Sequence, residues 1–113
     1  MVKRKPGLSR EEFREGYENS HAAMAVELFG HLFLSYRRNY LTTGHCFAVG
    51  GETAVAEDTG FDAISEFVLR DAAAAEEMTR IAMANWQRIK DDEARWFDQA
   101  HCWTMGCESV VAD

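Results

Sequence analysis

Apolar residues recur along this chain with two different periods, and the order in which those periods alternate is what most narrows the folds open to it. Phe13, Tyr17, His21, Met24 and Leu28 return every three or four positions, with Arg10, Glu11, Arg14, Glu15 and Glu18 off their stripe. That is the pattern of a helix with one buried face. Pro6-Gly7 breaks any regular element, and Ser9 followed by Glu12 has the spacing of a capping box, so the helix should start at about Arg10. Gly30 supplies a terminator near its end. Leu32 to Leu41, rich in aromatics and free of Gly and Pro, reads as a strand. Residues 50–60, with Gly50-Gly51 and Asp58-Thr59-Gly60, read as a loop, and Phe61 to Leu69 alternates as a second strand. Asp71 is a good N-cap for a helix over Ala72 to Lys90, whose Ala74, Met78, Ile81, Ala82, Asn85, Trp86 and Ile89 form another stripe. Asp91 to Asp98 reads as a short helical turn, and Cys102 to Val111 as a closing strand.

With Val2 to Lys5 as a stub of strand, the order is βαββαβ, that of an α+β ferredoxin-like sandwich. At 113 residues the chain fills one domain, 1–113, and no second. Two helices cover only one face of such a sheet, and the strands lack a clean polar-out alternation. A homodimer packed sheet on sheet would cover the other face.

Charge and composition exclude several function classes. The chain carries 12 Lys and Arg against 19 Asp and Glu, a net charge of −7, which disfavours phosphate-neutralising nucleic-acid binding. The imbalance lies in the later part: residues 1–40 are net +2, residues 41–113 net −9. No window approaches the roughly 18–20 apolar residues of a membrane span, and Met1-Val2-Lys3-Arg4-Lys5-Pro6 lacks the apolar core of a signal peptide. The chain therefore reads as cytoplasmic, with neither membrane nor nucleic acid as partner. Cys46, Cys102 and Cys107 are odd in number and without CxxC spacing, which suggests reduced thiols in place of a disulfide framework or zinc site.

Five segments in order and spacing, KRKPGLSREEF at 3–13, YENSH at 17–21, YRRNYL at 36–41, FDAISEF at 61–67 and DDEARWFD at 91–98, resemble the EthD-domain family of the dimeric α+β-barrel superfamily. The resemblance runs from Lys3 to about Val111. It implies a ferredoxin-like monomer dimerising through its sheet, with a ligand cavity between sheet and helices. It also implies, from the fungal polyketide decarboxylases to which YRRNY is closest in wording, work on hydroxylated aromatic acids without metal or organic cofactor. Relatives carry a fuller strand before KRKPGLS, here at most a stub. They often have a proline after the helix histidine, where Ala22-Ala23-Met24 lets this helix continue to about Leu28.

His21 is the leading candidate for chemistry: it lies on the apolar stripe one turn beyond Tyr17, the family's motif histidine falls here, and imidazole exchanges protons near neutral pH. A histidine packed in the core against a carbonyl is the competing reading. Glu18 and His21 share the Glu-x-x-His spacing of di-iron bundles, but the second copy such a site needs is missing, so no metal is expected. Asp62 and Glu66 share one parity of a strand, about 13 Å apart by strand rise. Ion pairing with Arg37 or Arg38 is the structural reading; orienting His21 or a substrate hydroxyl is the functional one. Tyr36 and Tyr40 line an aromatic-binding cavity if their side of the strand faces the helices, and a dimer interface if it does not. His101, on the parity of Trp103 and Met105, is a second acid/base or a surface residue. Ser20 is set aside as a nucleophile, since helix neighbours do not face each other. Phe13, Trp86, Trp96 and Phe97 read as core.

The expected activity is decarboxylation of a hydroxylated aromatic acid with His21 as proton donor, Tyr17 and Tyr40 on phenolic oxygens, and no cofactor. A cofactor-free monooxygenase, a cyclase or isomerase, and a non-catalytic aromatic-binding dimer are the alternatives.

Overall fold

The computed structural model describes residues 1–47, 53–56 and 60–112. Helix α1 spans Arg10–Gly16, a π-helical turn Tyr17–Ala22, and α2 Ala23–Phe29, so the first helical segment is continuous with one widened turn in its middle. Ser9 accepts from the Glu12 amide at 3.1 Å while Glu12 accepts from the Ser9 amide at 3.0 Å, closing the capping box read from the sequence. After a 3-10 turn at Gly30–Leu32 comes β1, Phe33–Tyr40. A hairpin of β2, Gly44–Phe47, and β3, Thr53–Ala56, follows, then β4, Ala63–Leu69. Helix α3 covers Ala72–Ala84, α4 covers Trp86–Trp96, and a 3-10 turn covers Gln99–His101.

The sheet has the strand order of a ferredoxin-like α+β fold. β1 pairs antiparallel with β4, placing Arg37 opposite Glu66 and Tyr40 opposite Ala63. On the far side of β4, Val2 bridges Ala63, and on the far side of that segment Arg4 bridges Phe97, both antiparallel. The N-terminal stub thus lies between β4 and residues 96–98, joined to each by an isolated bridge despite its length. Its amides and carbonyls are shared between β4 (Val2 N–H to Ala63 at 2.9 Å) and the chain after α4 (Lys5 N–H to Trp96 at 2.8 Å, Asp98 N–H to Lys3 at 2.9 Å).

Five of the sequence expectations need correction. The helix expected over Ala72–Lys90 breaks at Asn85, whose side chain donates to the Ile81 carbonyl at 2.9 Å and competes with the helical ladder. The short turn expected at Asp91–Asp98 is instead the second half of the eleven-residue helix α4. Thr53–Ala56, inside the expected loop, is a strand; at four residues it is too short for its period to be read, and residues 48–52 and 57–59 lie outside the described residues. Cys102–Val111 forms no strand: the N-terminal segment's backbone is already taken up by residues 96–98, and beyond the 3-10 turn Cys102 Sγ accepts from the Lys3 amide at 3.4 Å and the Trp103 amide donates to Met1 at 3.0 Å. Trp86 is not core but 53% exposed, with the Lys90 ammonium over its ring.

One core joins the layers. Phe13, Tyr17, Ala22, Ala63 and Phe97 are buried together, with Tyr36, Tyr40 and Trp96 packed against them. Tyr36 and Tyr40 therefore face the helices, while Arg37, Asn39 and Glu66 lie on the outer sheet face with Leu34 (64% exposed) and Val68 (50%). α4 packs on the first helical segment through its last turn: a Cβ at Gly16 would lie 2.1 Å from Trp96 Cε3, so only glycine fits. The Trp96 Nε1–H is buried there without an acceptor among the described residues. Gly16→Ala is expected to cost about 1–3 kcal/mol by overpacking. Because the two sites touch, Gly16→Ala/Trp96→Leu should lose less than the sum of the single variants in urea unfolding.

Candidate functional site

The π-helical turn divides its polar side chains between two neighbours. Such widened turns concentrate at functional sites because they re-aim side chains that a regular α-helix would hold in register. Tyr17 points into the core, Glu18 toward the sheet, and Ser20 and His21 toward α4. The Glu18–His21 spacing that suggested a metal pair is thereby split. Among the described residues no group of three His, Cys, Asp or Glu is placed to hold a metal ion.

On the α4 side, His21 Nδ1 lies 2.8 Å from Asp92 Oδ2, and the Ser20 hydroxyl donates to Asp92 Oδ1. Asp92 is only 7% exposed, and a carboxyl group that buried needs hydrogen-bonding partners such as these two. The His21 side chain is 16% exposed. With Nδ1–H donating to the carboxylate, Nε2 is left as the ring's position for proton exchange, and among the described residues it has no hydrogen-bond partner. The ring packs edge-on to Tyr17 at 5.2 Å between centroids and to Phe97 at 4.7 Å. An imidazole oriented by a buried carboxylate among aromatic rings is the arrangement of a general acid or base held by a third group.

On the sheet side, Arg38 Nε and Nη2 donate to the Glu18 carboxylate at 2.9 and 2.7 Å, and the Tyr40 hydroxyl donates to it at 2.5 Å. The Arg38 guanidinium also lies 4.8 Å over the Tyr36 ring, and Arg14 lies 4.6 Å over Tyr40. Arg38 holds the Glu18 carboxyl at about 2, helped by Tyr40 and opposed by partial burial. Burial, then the bond to Glu18, pushes the Tyr40 phenol above its ordinary range. Burial, then Tyr17, does the same for Tyr36. Both phenols stay protonated. The Tyr17 hydroxyl shares a 2.6 Å hydrogen bond with Ser65 on β4.

Of the residues singled out in the sequence, His21, Tyr17, Tyr36 and Tyr40 come together around this core. Three do not join them. Asp62 precedes β4, is buried, and accepts from the Arg4 amide at 2.8 Å with the Arg4 guanidinium 3.5 Å away. Glu66 is exposed on the outer face, opposite Arg37 and 3.5 Å from the Asn39 amide. Among the described residues neither acid forms the expected ion pair with Arg37 or Arg38, and neither holds His21: Asp62 pairs with Arg4 instead, Arg38 takes Glu18, and the carboxylate on His21 is Asp92. His101 is exposed on the 3-10 turn and pairs with Asp98 at 2.8 Å.

Asp92 was the residue missed. It sits on the same face of α4 as Ile89 and Trp96, and a carboxylate on a buried stripe demands a partner. That signal was present in the sequence, but which partner it demanded was not.

Among the described residues, two surface depressions lie near these groups. One of about 520 Å³ is lined by Ser20, Met24, Arg88, Asp91, Asp92 and Arg95. One of about 270 Å³ lies between α1 and the end of β1, lined by Phe13, Arg14, Tyr40, Leu41 and Asp62 among others. Neither is lined by His21.

The fold, with its histidine on the first helical segment, is that of a small α+β domain. The sequence profile of the EthD domain matches residues 5–100, and the chain belongs to the EthD-domain family. No curated protein and no solved structure matches it. Among the described residues no helix is long and apolar enough to cross a membrane.

The Glu18 network makes stability depend on acid. Its folded pKa lies below the ordinary 4.5, so its contribution is full above that value and is lost as pH falls toward about 2. Glu18 is partly in solvent, which moderates the effect. Urea midpoints measured from pH 6 to pH 2 should fall more steeply for the wild type than for Glu18→Gln.

Proposed function

We propose that the chain is a cofactor-independent enzyme acting on a hydroxylated aromatic acid, with decarboxylation as its reaction. The observation that carries this reading is the His21–Asp92 pair: Nδ1 held at 2.8 Å by a buried carboxylate, Nε2 unpartnered among the described residues, and the rings of Tyr17 and Phe97 alongside. Membership of the EthD-domain family supports the class of small-molecule chemistry. In the proposed step the imidazolium Nε2–H delivers its proton to the ring carbon that bears the carboxylate. The bond from that carbon to the carboxylate then breaks, its electron pair returns to the ring and restores aromaticity, and carbon dioxide leaves. His21, left neutral, takes its next proton from solvent. Asp92 is a positioning residue: it fixes the ring and stabilises the charged imidazolium. Tyr17, edge-on to His21, would hold a substrate oxygen. The uncovered outer sheet face, with Leu34 and Val68 exposed, supports a second copy of the chain as partner.

A second reading, a non-catalytic aromatic-binding dimer, is favoured by one observation. The rings of Phe13, Tyr17, Tyr40 and Phe97 close on one another between helices and sheet, and His21 lines neither surface depression.

The test is mass spectrometry of metal-free wild type, His21→Ala and Asp92→Asn incubated with a panel of hydroxylated aromatic acids. Products lacking carbon dioxide are expected from the wild type, with the rate lowered about 10²–10⁴-fold in His21→Ala, the usual worth of a general acid. Asp92→Asn should fall between the two and shift the pH–rate profile. Binding that survives His21→Ala with no turnover by the wild type would establish the second reading. Oxygen uptake in place of carbon dioxide release would point to a monooxygenase.

A further inference from the structure

The contact between the first helical segment and α4 follows a regular antiparallel ladder. Gly16 meets Trp96, and one turn further along each helix Ser20 meets Asp92. At the next turn Met24 and Arg88 do not close the space, and the helices part into the groove of about 520 Å³. Arg88, Asp91, Asp92 and Arg95 line it from α4 with the spacing of a single helix face, and Ser20 and Met24 line it from the other side. Among the described residues Met24 is its one apolar side chain and no aromatic ring lines it, so this space does not suit the aromatic acid proposed for His21.

Its polar groups are engaged unequally. Arg88 is held by Glu27, with guanidinium-to-carboxylate distances of 2.6 and 3.4 Å. Asp91 accepts from Gln87 at 2.8 Å through one oxygen, Oδ1. Asp92 is occupied by Ser20 and His21. Arg95 has no hydrogen-bond or ion-pair partner among the described residues. A free guanidinium fork is suited to a carboxylate in two-point geometry, and a second guanidinium two turns away on the same face of α4 adds to the attraction. The carboxylates of Asp91 and Asp92 repel a bare anion but accept from a hydroxyl.

We propose that this groove binds a small hydroxy carboxylic acid, its carboxylate on Arg95 with Arg88 in support and its hydroxyl donating to Asp91 or Asp92. The site is separate from the proposed reaction at His21 and does not depend on it, although Asp92 forms a wall common to both.

The probes are L-malate and succinate, which differ by one hydroxyl, titrated at constant ionic strength into the full chain. Affinity is followed by calorimetry and location by ¹⁵N amide shifts. Malate should move the amides of Ser20, Met24 and Arg95 and bind at least about tenfold more tightly than succinate, the worth of one hydrogen bond to a charged group. Arg95→Gln, a change at an exposed position, should keep the wild-type thermal midpoint and weaken malate at least about tenfold. Arg70→Gln, outside the groove, should bind as the wild type does. Equal affinity for the two acids, undiminished binding by Arg95→Gln, shifts spread over the surface, or no binding of either acid would each overturn the proposal. None of these outcomes bears on turnover at His21, which the decarboxylation assay reads separately.

Discussion

Where another side chain would stand at position 16, the Trp96 ring stands instead, and this contact sets the approach of α4 to the first helical segment. Its consequences run along both helices. With Gly16 against Trp96, the antiparallel spacing brings Ser20 and His21 to Asp92 one turn away, and Asp92 can be buried only because those two partners arrive together. The last residues of α4 then deliver Phe97 into the core beside Tyr17 and hand the chain to the sheet, where Arg4 bridges Phe97. One close helix contact thus positions the candidate dyad, closes the aromatic core and supplies the sheet's edge.

The first helical segment works as a divider between two electrostatic environments. Toward the sheet, Glu18 is fully committed to Arg38 and Tyr40, a network in which every member is protonated or charged in only one way near neutral pH. Toward α4, the imidazole of His21 faces a carboxylate that fixes one of its nitrogens and leaves the other without a partner among the described residues. The π turn makes this division possible. It lets residues three apart in sequence serve neighbours on opposite sides of the helix.

Much of the architecture was legible because it rests on local rules. The capping box at Ser9 and Glu12, the Asp71 N-cap, and the aromatic run that becomes β1 express preferences set by a few consecutive residues, and each sits where those preferences put it. The errors fall where pairing at long range decides. Cys102–Val111 has the composition of a strand, but a strand needs a partner with free backbone groups, and residues 96–98 take that partner first. Asn85 lies on an apolar stripe that continues past it, so periodicity could not reveal that its side chain would turn back on the ladder.

The same division governs the site. The sequence by itself determined a helix with an inward histidine, two tyrosines on one side of a strand, and a net charge of −7, since these follow from period, parity and composition. Only the tertiary structure decided which carboxylate meets which cation. Asp62, Glu66, Glu18 and Asp92 are chemically equivalent on paper, yet Asp62 takes Arg4, Glu18 takes Arg38 and Asp92 takes His21. Ion pairing depends on separation in space, and that separation is fixed by the packing of elements far apart in the chain.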